Sequence, residues 1–303
     1  MLDEVLVEIS HNCNLHCTMC VFGNSYDHLR FMTLGNYKQI LSGIKGQTRA
    51  IRLNGRGEST IHPNFIQILL ATRGECPSTE INLFSNFMFS NADIIRELIV
   101  CEVQLFVSID STDNEELAAI RRGADFATIK SNLNAVSSAN NRPFIVFTIQ
   151  ERNINRIYDI AIFASDYNCN VLYNTISGGA MGNFIDSINQ NMDHVVLQLN
   201  MADRLLRSIG RECLIPDQMA GIPIPAQSAK RTCGSMTTCD VIGQKLCIFY
   251  DGKVGPCNML NPYVIGNIFE NAPSEILNSS VISEFKSNHS SNKYCRNCAN
   301  MGI

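Results

Sequence analysis

From its start to about residue 180 the chain alternates apolar strand-like runs with helix-like stretches, and this alternation constrains its fold more than any other feature. Val5–Ser10 reads as the first strand and Thr33–Lys45 as a helix. Ala50–Asn54 follows as a short apolar strand, then the helix Pro63–Arg73, whose proline suits a first helical turn where no N–H is needed. Glu80–Phe84 is the third strand, and Asn91 has the side chain to cap the helix after it. Glu102–Ser108, Pro143–Ile149 and Asn170–Asn174 make the fourth, fifth and sixth strands, with helical stretches at Asp125–Ser138 and Asn155–Ser165 between them. Strands joined by helices pair in parallel, with the helices packed outside the sheet. Six such units predict an α/β fold built on a partial (β/α)6 TIM barrel, whose active site lies at the C-terminal strand ends.

Residues 178–191 break the pattern with Gly, Asn and Ser; a helix is predicted from His194 to Ile209, and Leu214–Ser228, with three prolines, reads as a linker. Beyond it the cysteines crowd together: Cys233, Cys239, Cys247, Cys257, Cys295 and Cys298. The predicted organisation is a barrel over 1–210, a linker over 211–232 and a small domain over 233–303, for which 303 residues leave room. A net charge of −4 without any basic stripe argues against a nucleic-acid partner. The pairs Arg121-Arg122 and Lys230-Arg231 are too short to follow a phosphate backbone and read as solvated surface. No apolar run reaches membrane-spanning length, and the first residues enter a strand without a basic signal region, so no membrane partner is expected. Thirteen cysteines without an export signal fit a reducing cytoplasm and metal binding, not a disulfide framework.

Cys13, Cys17 and Cys20, spaced x3 then x2 behind the first strand, can hold three corners of a cubane iron–sulfur cluster and leave one iron open. A structural zinc site would want a fourth ligand, and His11 and His16 stand nearby. The spacing resembles the signature of the radical S-adenosylmethionine (SAM) family. There the amino and carboxylate groups of SAM chelate the open iron, and an electron from the cluster cleaves SAM to a 5′-deoxyadenosyl radical. The resemblance continues along the barrel. Asn54-Gly-Arg-Gly-Glu58-Ser-Thr-Ile-His-Pro63 resembles the family's G-G-E-P motif, with Arg56 for its first Gly and Ser59 for its Pro; this implies that the Gly57 carbonyl and the Glu58 carboxylate receive the SAM ammonium. Phe84-Ser-Asn86 resembles T-N-G, with Phe87 where glycine is usual, and implies Asn86 on the SAM ribose. Val107-Ser-Ile-Asp110 resembles v-S-l-D-g, which implies Ser108 near the SAM carboxylate and Asp110 among the SAM-binding residues, and Thr148–Asn153 resembles the ending of the fifth strand. Met19 stands where an aromatic usually packs over adenine, a place a thioether can also fill. Taken singly, each of these would serve as an ordinary cap or turn residue; their weight comes from recurring in order at successive strand ends.

The C-terminal cysteines form a second set, Cys239-x12-Gly252-x4-Cys257 and Cys295-x2-Cys298. Apolar runs on both sides of Asp251-Gly252 predict a hairpin with Cys257 on the returning strand. Four cysteines suit either a 4Fe–4S cluster or structural zinc. The arrangement resembles the twitch domain, the shortened SPASM domain of radical SAM proteins. That implies one auxiliary 4Fe–4S cluster on Cys239, Cys257, Cys295 and Cys298, with Cys233 as the alternative first ligand. Cys247 is then spare: either a small buried hydrophobe or a hydrogen-atom donor, and the alternation Leu246 to Tyr250 does not fix which face it takes. Cys76, Cys101, Cys169 and Cys213 read as structural.

Over nearly its full length the chain is similar to twitch enzymes of aminoglycoside pathways. The resemblance implies an amino sugar or aminocyclitol substrate and a reducing partner such as flavodoxin or ferredoxin. Two reactions compete: dehydrogenation of an alcohol through the auxiliary cluster, as in the 2-deoxy-scyllo-inosamine dehydrogenase type, and epimerisation, as in the neomycin C epimerase type. Epimerisation is redox-neutral and needs a hydrogen donor. A thiol S–H is weaker than a carbinol C–H, so the spare Cys247 favours an epimerase with Cys247 as its catalytic donor. A maturase or epimerase of a ribosomal peptide is the third reading, and a non-catalytic metal scaffold the fourth.

Overall fold

Val5 and Val7 point one way from β1 (Leu2–Val7) and Glu4 and Leu6 the other, and all four are buried, as befits a central strand covered on both faces. The computed structural model describes residues 1–20, 22, 30–137, 139–176, 184–216, 218–219, 222–223, 242–257, 263–291 and 295. After β1 come β2 (His16–Cys17), α1 (Leu34–Ile44), β3 (Thr48–Arg52), α2 (Phe65–Glu75), β4 (Glu80–Ser85), α3 (Ala92–Val100) and β5 (Gln104–Ser108). Next are α4 (Asn114–Ile120), β6 (Arg121–Arg122), α5 (Phe126–Val136), β7 (Phe144–Ile149), α6 (Ile157–Asp166), β8 (Asn170–Thr175), α7 (Phe184–Ser208) and β9 (Cys213–Leu214). The C-terminal part supplies β10 (Gln218–Met219), β11 (Ile222–Pro223), β12 (Lys245–Ile248), β13 (Lys253–Gly255), β14 (Gly266–Asn267), α8 (Pro273–Leu277) and α9 (Ser280–Asn288).

The six strands expected from the sequence are β1, β3, β4, β5, β7 and β8, adjacent in that order and all parallel. They form the partial barrel. Helix starts follow local chemistry: Thr33, Asn91 and Asp125 each accept a hydrogen bond from an N–H of the first turn they cap. Several features depart from expectation; α2 starts at Phe65 behind the N-cap Asn64, so Pro63 precedes the helix and does not occupy its first turn. Helix α4 has no counterpart among the expected elements and is capped by Asp113, which accepts from the Glu116 N–H at 2.8 Å. Helix α7 starts at Phe184 instead of His194, and the stretch expected as helix from Asn155 begins in a 3-10 turn, Glu151–Arg156, ahead of α6.

Alternation sorts the barrel strands into two faces. Val5, Val7, Ile51, Leu83, Leu105, Val107, Ile145, Phe147, Val171 and Tyr173 join the core beneath the helices. Their neighbours Glu4, Leu6, Arg52, Phe84, Phe106, Ser108, Thr148 and Asn174 line the inside.

The hairpin expected at Asp251-Gly252 is β12–β13, and it does not stand apart from the barrel. β12 pairs in parallel with β1, so ten strands share one sheet in the order β14-β13-β12-β1-β3-β4-β5-β7-β8-β9. Gly252 turns the hairpin at φ 84°, a conformation that favours glycine, and a Cβ there would run into the Phe269 ring. Cys257 lies two residues past the returning strand. Cys233, Cys239, Cys298 and most of the expected linker over 211–232 lie outside the described residues.

Arg121 corrects the reading of the Arg121-Arg122 pair as solvated surface. Arg122 is exposed, but Arg121 is only 7% accessible and its guanidinium is bound to Asp110. Among the described residues no helix is long and apolar enough to cross a membrane.

Candidate active site at the strand ends

The segment 10–20 leaves β1 as an irregular loop held by its own polar groups. Ser10 Oγ donates to the Asn12 carbonyl at 3.0 Å, the Leu15 N–H reaches Cys13 Sγ at 3.4 Å, and the Cys20 N–H bonds the Cys17 carbonyl at 3.2 Å. Farther along, β2 pairs antiparallel with β6 (His16 with Arg122, Cys17 with Arg121), and the Thr18 N–H bonds the Ile120 carbonyl at 2.9 Å. Cys13 and Cys17 are partly buried and Cys20 is exposed; each of the three thiols lies within electrostatic range of the other two. Burial pushes the Cys13 thiol up to about 12 and raises Cys17 against the pull of Arg121.

The loop after β3 is fitted against this segment. A Cβ on Gly57 would fall on the Asn12 carbonyl oxygen and come within 2.6 Å of the His11 carbonyl carbon. The Glu58 N–H donates to the same Asn12 oxygen at 2.7 Å. The Glu58 carboxylate then ties two strand ends together: it accepts from the Thr60 N–H (3.0 Å), Thr60 Oγ1 (2.7 Å), Ser85 Oγ (2.9 Å) and the Asn86 N–H (2.7 Å). Asn86 is committed locally. Its Nδ2 donates to Asn14 Oδ1 at 2.8 Å with Cys13 Sγ at 3.8 Å, and its Oδ1 accepts from the Met88 N–H at 2.9 Å. Phe87 has φ 60°, a left-handed backbone that explains why a glycine suits this place; its fully buried ring packs edge-on against Phe89 at 5.1 Å.

At the next strand end Ser108 faces the barrel interior half-buried, and its side chain makes no hydrogen bond among the described residues. Asp110 is fully buried. One carboxylate oxygen accepts from Arg121 Nε at 2.7 Å and the other from the Thr148 N–H at 2.7 Å, while Asn153 Nδ2 donates to the Asp110 carbonyl at 2.9 Å. Burial raises the Asp110 carboxyl above the ordinary range although Arg121 pulls it down. Arg121 Nη1 stands 4.0 Å from Cys17 Sγ, so a line of contacts runs from β7 through Asp110 and Arg121 to the cysteine loop. Sequence reasoning missed Arg121: its burial depends on a carboxylate from another loop, which no local pattern reports.

Just past the ends of β1 and β3, Arg56 binds Glu8 through two nitrogens at 2.6 and 2.7 Å, with His11 Nδ1 at 3.3 Å. Burial works against the Glu8 charge, but these partners hold its carboxyl below the usual value. Glu4 is shared by Arg52 Nε at 2.9 Å and Lys245 Nζ at 3.5 Å. Phe84, Phe106 and Phe144 stack in a row with centroids 4.3 and 5.2 Å apart, and the Arg52 guanidinium lies 4.7 Å over Phe84. The register sets Cys247 beside Leu6 on this inner face, 4% accessible, within electrostatic range of Cys257, Arg52, Glu4 and Lys245. Burial raises the Cys247 thiol, which keeps its hydrogen. Cys257 is partly buried and Cys295 buried; their expected partners Cys239 and Cys298 are outside the described residues.

Two observations bear on what this place can hold. Among the described residues no three His, Cys, Asp or Glu side chains close around a single ion. Cys13, Cys17 and Cys20 sit on one loop within electrostatic range of one another, a soft-donor set of the kind that holds an iron–sulfur cluster. Of the eight buried side-chain polar atoms without a hydrogen-bond partner among the described residues, five stand at strand ends: both polar atoms of Asn12, Asn54 Oδ1, Gln150 Nε2 and Thr175 Oγ1, which follow or end β1, β3, β7 and β8, whereas Asn82 Oδ1, Arg211 Nε and His289 Nε2 lie elsewhere. Native interiors rarely leave such atoms unpaired, so their concentration here fits a polar ligand seated across the barrel mouth.

Comparison with known proteins gives two family matches. The profile of the Radical SAM superfamily matches residues 7–164, and that of SPASM, an iron–sulfur cluster-binding domain, matches residues 239–299. The antilisterial bacteriocin subtilosin biosynthesis protein AlbA of Bacillus subtilis (strain 168) is 21% identical over 279 residues, 91% of this chain. The chain spans 59% of the length of that relative. Among solved structures, anSMEcpe with bound AdoMet superposes with a TM-score of 0.73 at 16% identity, covering 100% of this chain and 86% of that one. BtrN in complex with AdoMet and 2-DOIA superposes at 0.53 and 15% identity, covering 98% and 93%. Both structural likenesses bear on the fold.

Proposed function

Since this chain belongs to the radical SAM superfamily, we propose that it removes a carbon-bound hydrogen from its substrate and that Cys247 gives one back, inverting a stereocentre. Its cofactors are SAM and 4Fe–4S clusters, which when bound supply a 5′-deoxyadenosyl radical able to abstract hydrogen from an unactivated carbon. Cys13, Cys17 and Cys20 would hold the first cluster, with Gly57, Glu58, Asn86, Ser108 and Asp110 shaping the SAM pocket. Glu58 and Asn86 brace its wall, and Asp110 acts through Arg121. Cys239, Cys257, Cys295 and Cys298 would hold the auxiliary cluster, within a C-terminal unit over 233–303 joined to the barrel over 1–210.

The observation that carries the proposal is the place of Cys247: a protonated thiol on the inner face of the sheet, on a strand beside β1. In the closing step its S–H bond breaks homolytically as a C–H bond forms on the substrate carbon. One electron from a reductant such as flavodoxin or ferredoxin and one proton from solvent then restore the thiol. Dehydrogenation would instead need a base for the carbinol proton. Among the described residues, Glu4, Glu8, Glu58 and Asp110, the carboxylates buried around the interior, are each already engaged, which favours epimerisation. The substrate is an amino sugar, an aminocyclitol or, as the name of the bacteriocin-producing relative suggests, a peptide.

The test is an anaerobic reaction in D2O with reconstituted protein, SAM, reductant and a panel of amino sugars, aminocyclitols and short peptides. Product is expected to carry one deuterium in place of a hydrogen. Cys247→Ala should still form 5′-deoxyadenosine while inverted product falls to background. A product lighter by two hydrogens, made equally well by Cys247→Ala, would establish a dehydrogenase instead.

A further inference from the structure

We infer that the barrel interior receives an oxyanion of the substrate, a carboxylate or a phosphate, on Arg52 next to Cys247; the inference rests on the interior being the substrate chamber. The argument starts from charge. Glu8 is matched by Arg56 and Asp110 by Arg121, whereas Glu4 alone faces both Arg52 and Lys245, so two cations against one anion leave one positive charge in excess. Lys245 can neutralise Glu4 without help, so Arg52 is not needed for that purpose.

Geometry gives Arg52 its use. Only its Nε bonds Glu4; its two terminal nitrogens make no hydrogen bond among the described residues, and its side chain keeps 26% of its accessibility inside the barrel. Its guanidinium carbon stands 4.7 Å from the Phe84 ring centroid, and this contact together with the Nε bond to Glu4 restrains the fork. A fixed guanidinium with two free N–H2 groups is the arrangement that grips a carboxylate or phosphate through paired bonds. The stacked Phe84, Phe106 and Phe144 offer an apolar floor beside it for the rest of the molecule. Arg52 and Cys247 share one rung, each in register with Leu6 from opposite sides. An anion held at Arg52 therefore sets the carbons next to it in front of the thiol. The same surplus charge disfavours a polycationic amino sugar that lacks an acidic group.

The test uses reconstituted, SAM-loaded protein, so that the pocket by Arg121 is filled, and four small probes: benzoate, phenyl phosphate, benzamide and benzylamine. Calorimetric titration is expected to show an oxyanion probe binding about tenfold to hundredfold more tightly than benzamide or benzylamine. The carboxylate and phosphate arms decide which oxyanion fits. Arg52→Gln should erase the preference, and Arg52→Lys, which keeps the charge but not the fork, should weaken benzoate more than phenyl phosphate. Benzylamine binding as well as the oxyanions, equal binding of benzoate, phenyl phosphate and benzamide, no oxyanion binding at all, or a preference that survives Arg52→Gln in folded protein would each overturn the inference. The wild-type result alone is decisive if Arg52→Gln does not fold. Binding needs no radical chemistry, so the outcome is separable from the fate of Cys247 as donor.

Discussion

Gly57→Ala is expected to abolish SAM cleavage while costing about 1–3 kcal/mol of stability, the usual range for forcing extra volume into a packed interior. The new Cβ would land on the Asn12 carbonyl oxygen, with the His11 carbonyl carbon at 2.6 Å and the Ser10 oxygen at 2.7 Å. All three are backbone atoms, so none can rotate away. Two movements relieve the overlap. Either segment 10–13 lifts and takes Cys13 away from Cys17 and Cys20, or the Gly57–Glu58 turn withdraws and breaks the 2.7 Å bond from the Glu58 N–H to Asn12. The second movement also draws the Glu58 carboxylate from Ser85 and Asn86. Both separate the cysteine loop from the carboxylate loop, which is why activity should fall much further than stability. Iron content after reconstitution, 5′-deoxyadenosine formation and the urea midpoint report the three parts of the effect. Gly43→Ala is the control: it lies in α1 with nothing within 4 Å of the added carbon, and should gain up to about 1 kcal/mol with SAM cleavage unchanged. Normal cleavage by Gly57→Ala would mean that the close approach of the two loops is not required.

The sequence made the barrel legible because its signals are local. Each parallel strand is an apolar run, and side chains such as Asn91 and Asp125 mark the next helix by capping it. What stayed hidden depends on pairings between distant segments. Strands β2 and β6 have two residues each and no periodicity to show; they exist because the cysteine loop meets the end of α4. Alternation left Cys247 with two possible faces, and its pairing with β1, at the other end of the chain, chose one. Helix α7 extends through Asn-rich sequence of weak propensity because Val195, Leu199, Ala202 and Leu206 bury a stripe farther along the same helix. Arg121 reads as a surface charge until Asp110 is seen to be buried beside it.

That ion pair supplies the second large effect. Arg121→Leu and Asp110→Asn are each expected to cost about 3–5 kcal/mol, because either change leaves the other partner buried without its counter-charge. The Asp110→Asn/Arg121→Leu double variant should cost less than the sum of the two, since no uncompensated charge then remains. Stability alone would not tell a purely structural pair from one that also acts on the cysteine loop; the sign of a redox shift does. Arg121 is the nearer half of the pair to Cys17, 4.0 Å from its sulfur, and its positive charge outweighs Asp110 at that thiol. An electron added to a group on Cys13, Cys17 and Cys20 adds negative charge, which a nearby cation stabilises. Arg121→Leu should therefore lower the midpoint potential of that cluster, and Asp110→Asn, which leaves the cation unopposed, should raise it. Redox titration of the reconstituted variants followed by electron paramagnetic resonance measures both. Shifts of opposite sign at similar losses of stability require an electrostatic action of Arg121 on the cluster. Equal potentials in all three proteins would confine the pair to joining β5, β7 and the cysteine loop.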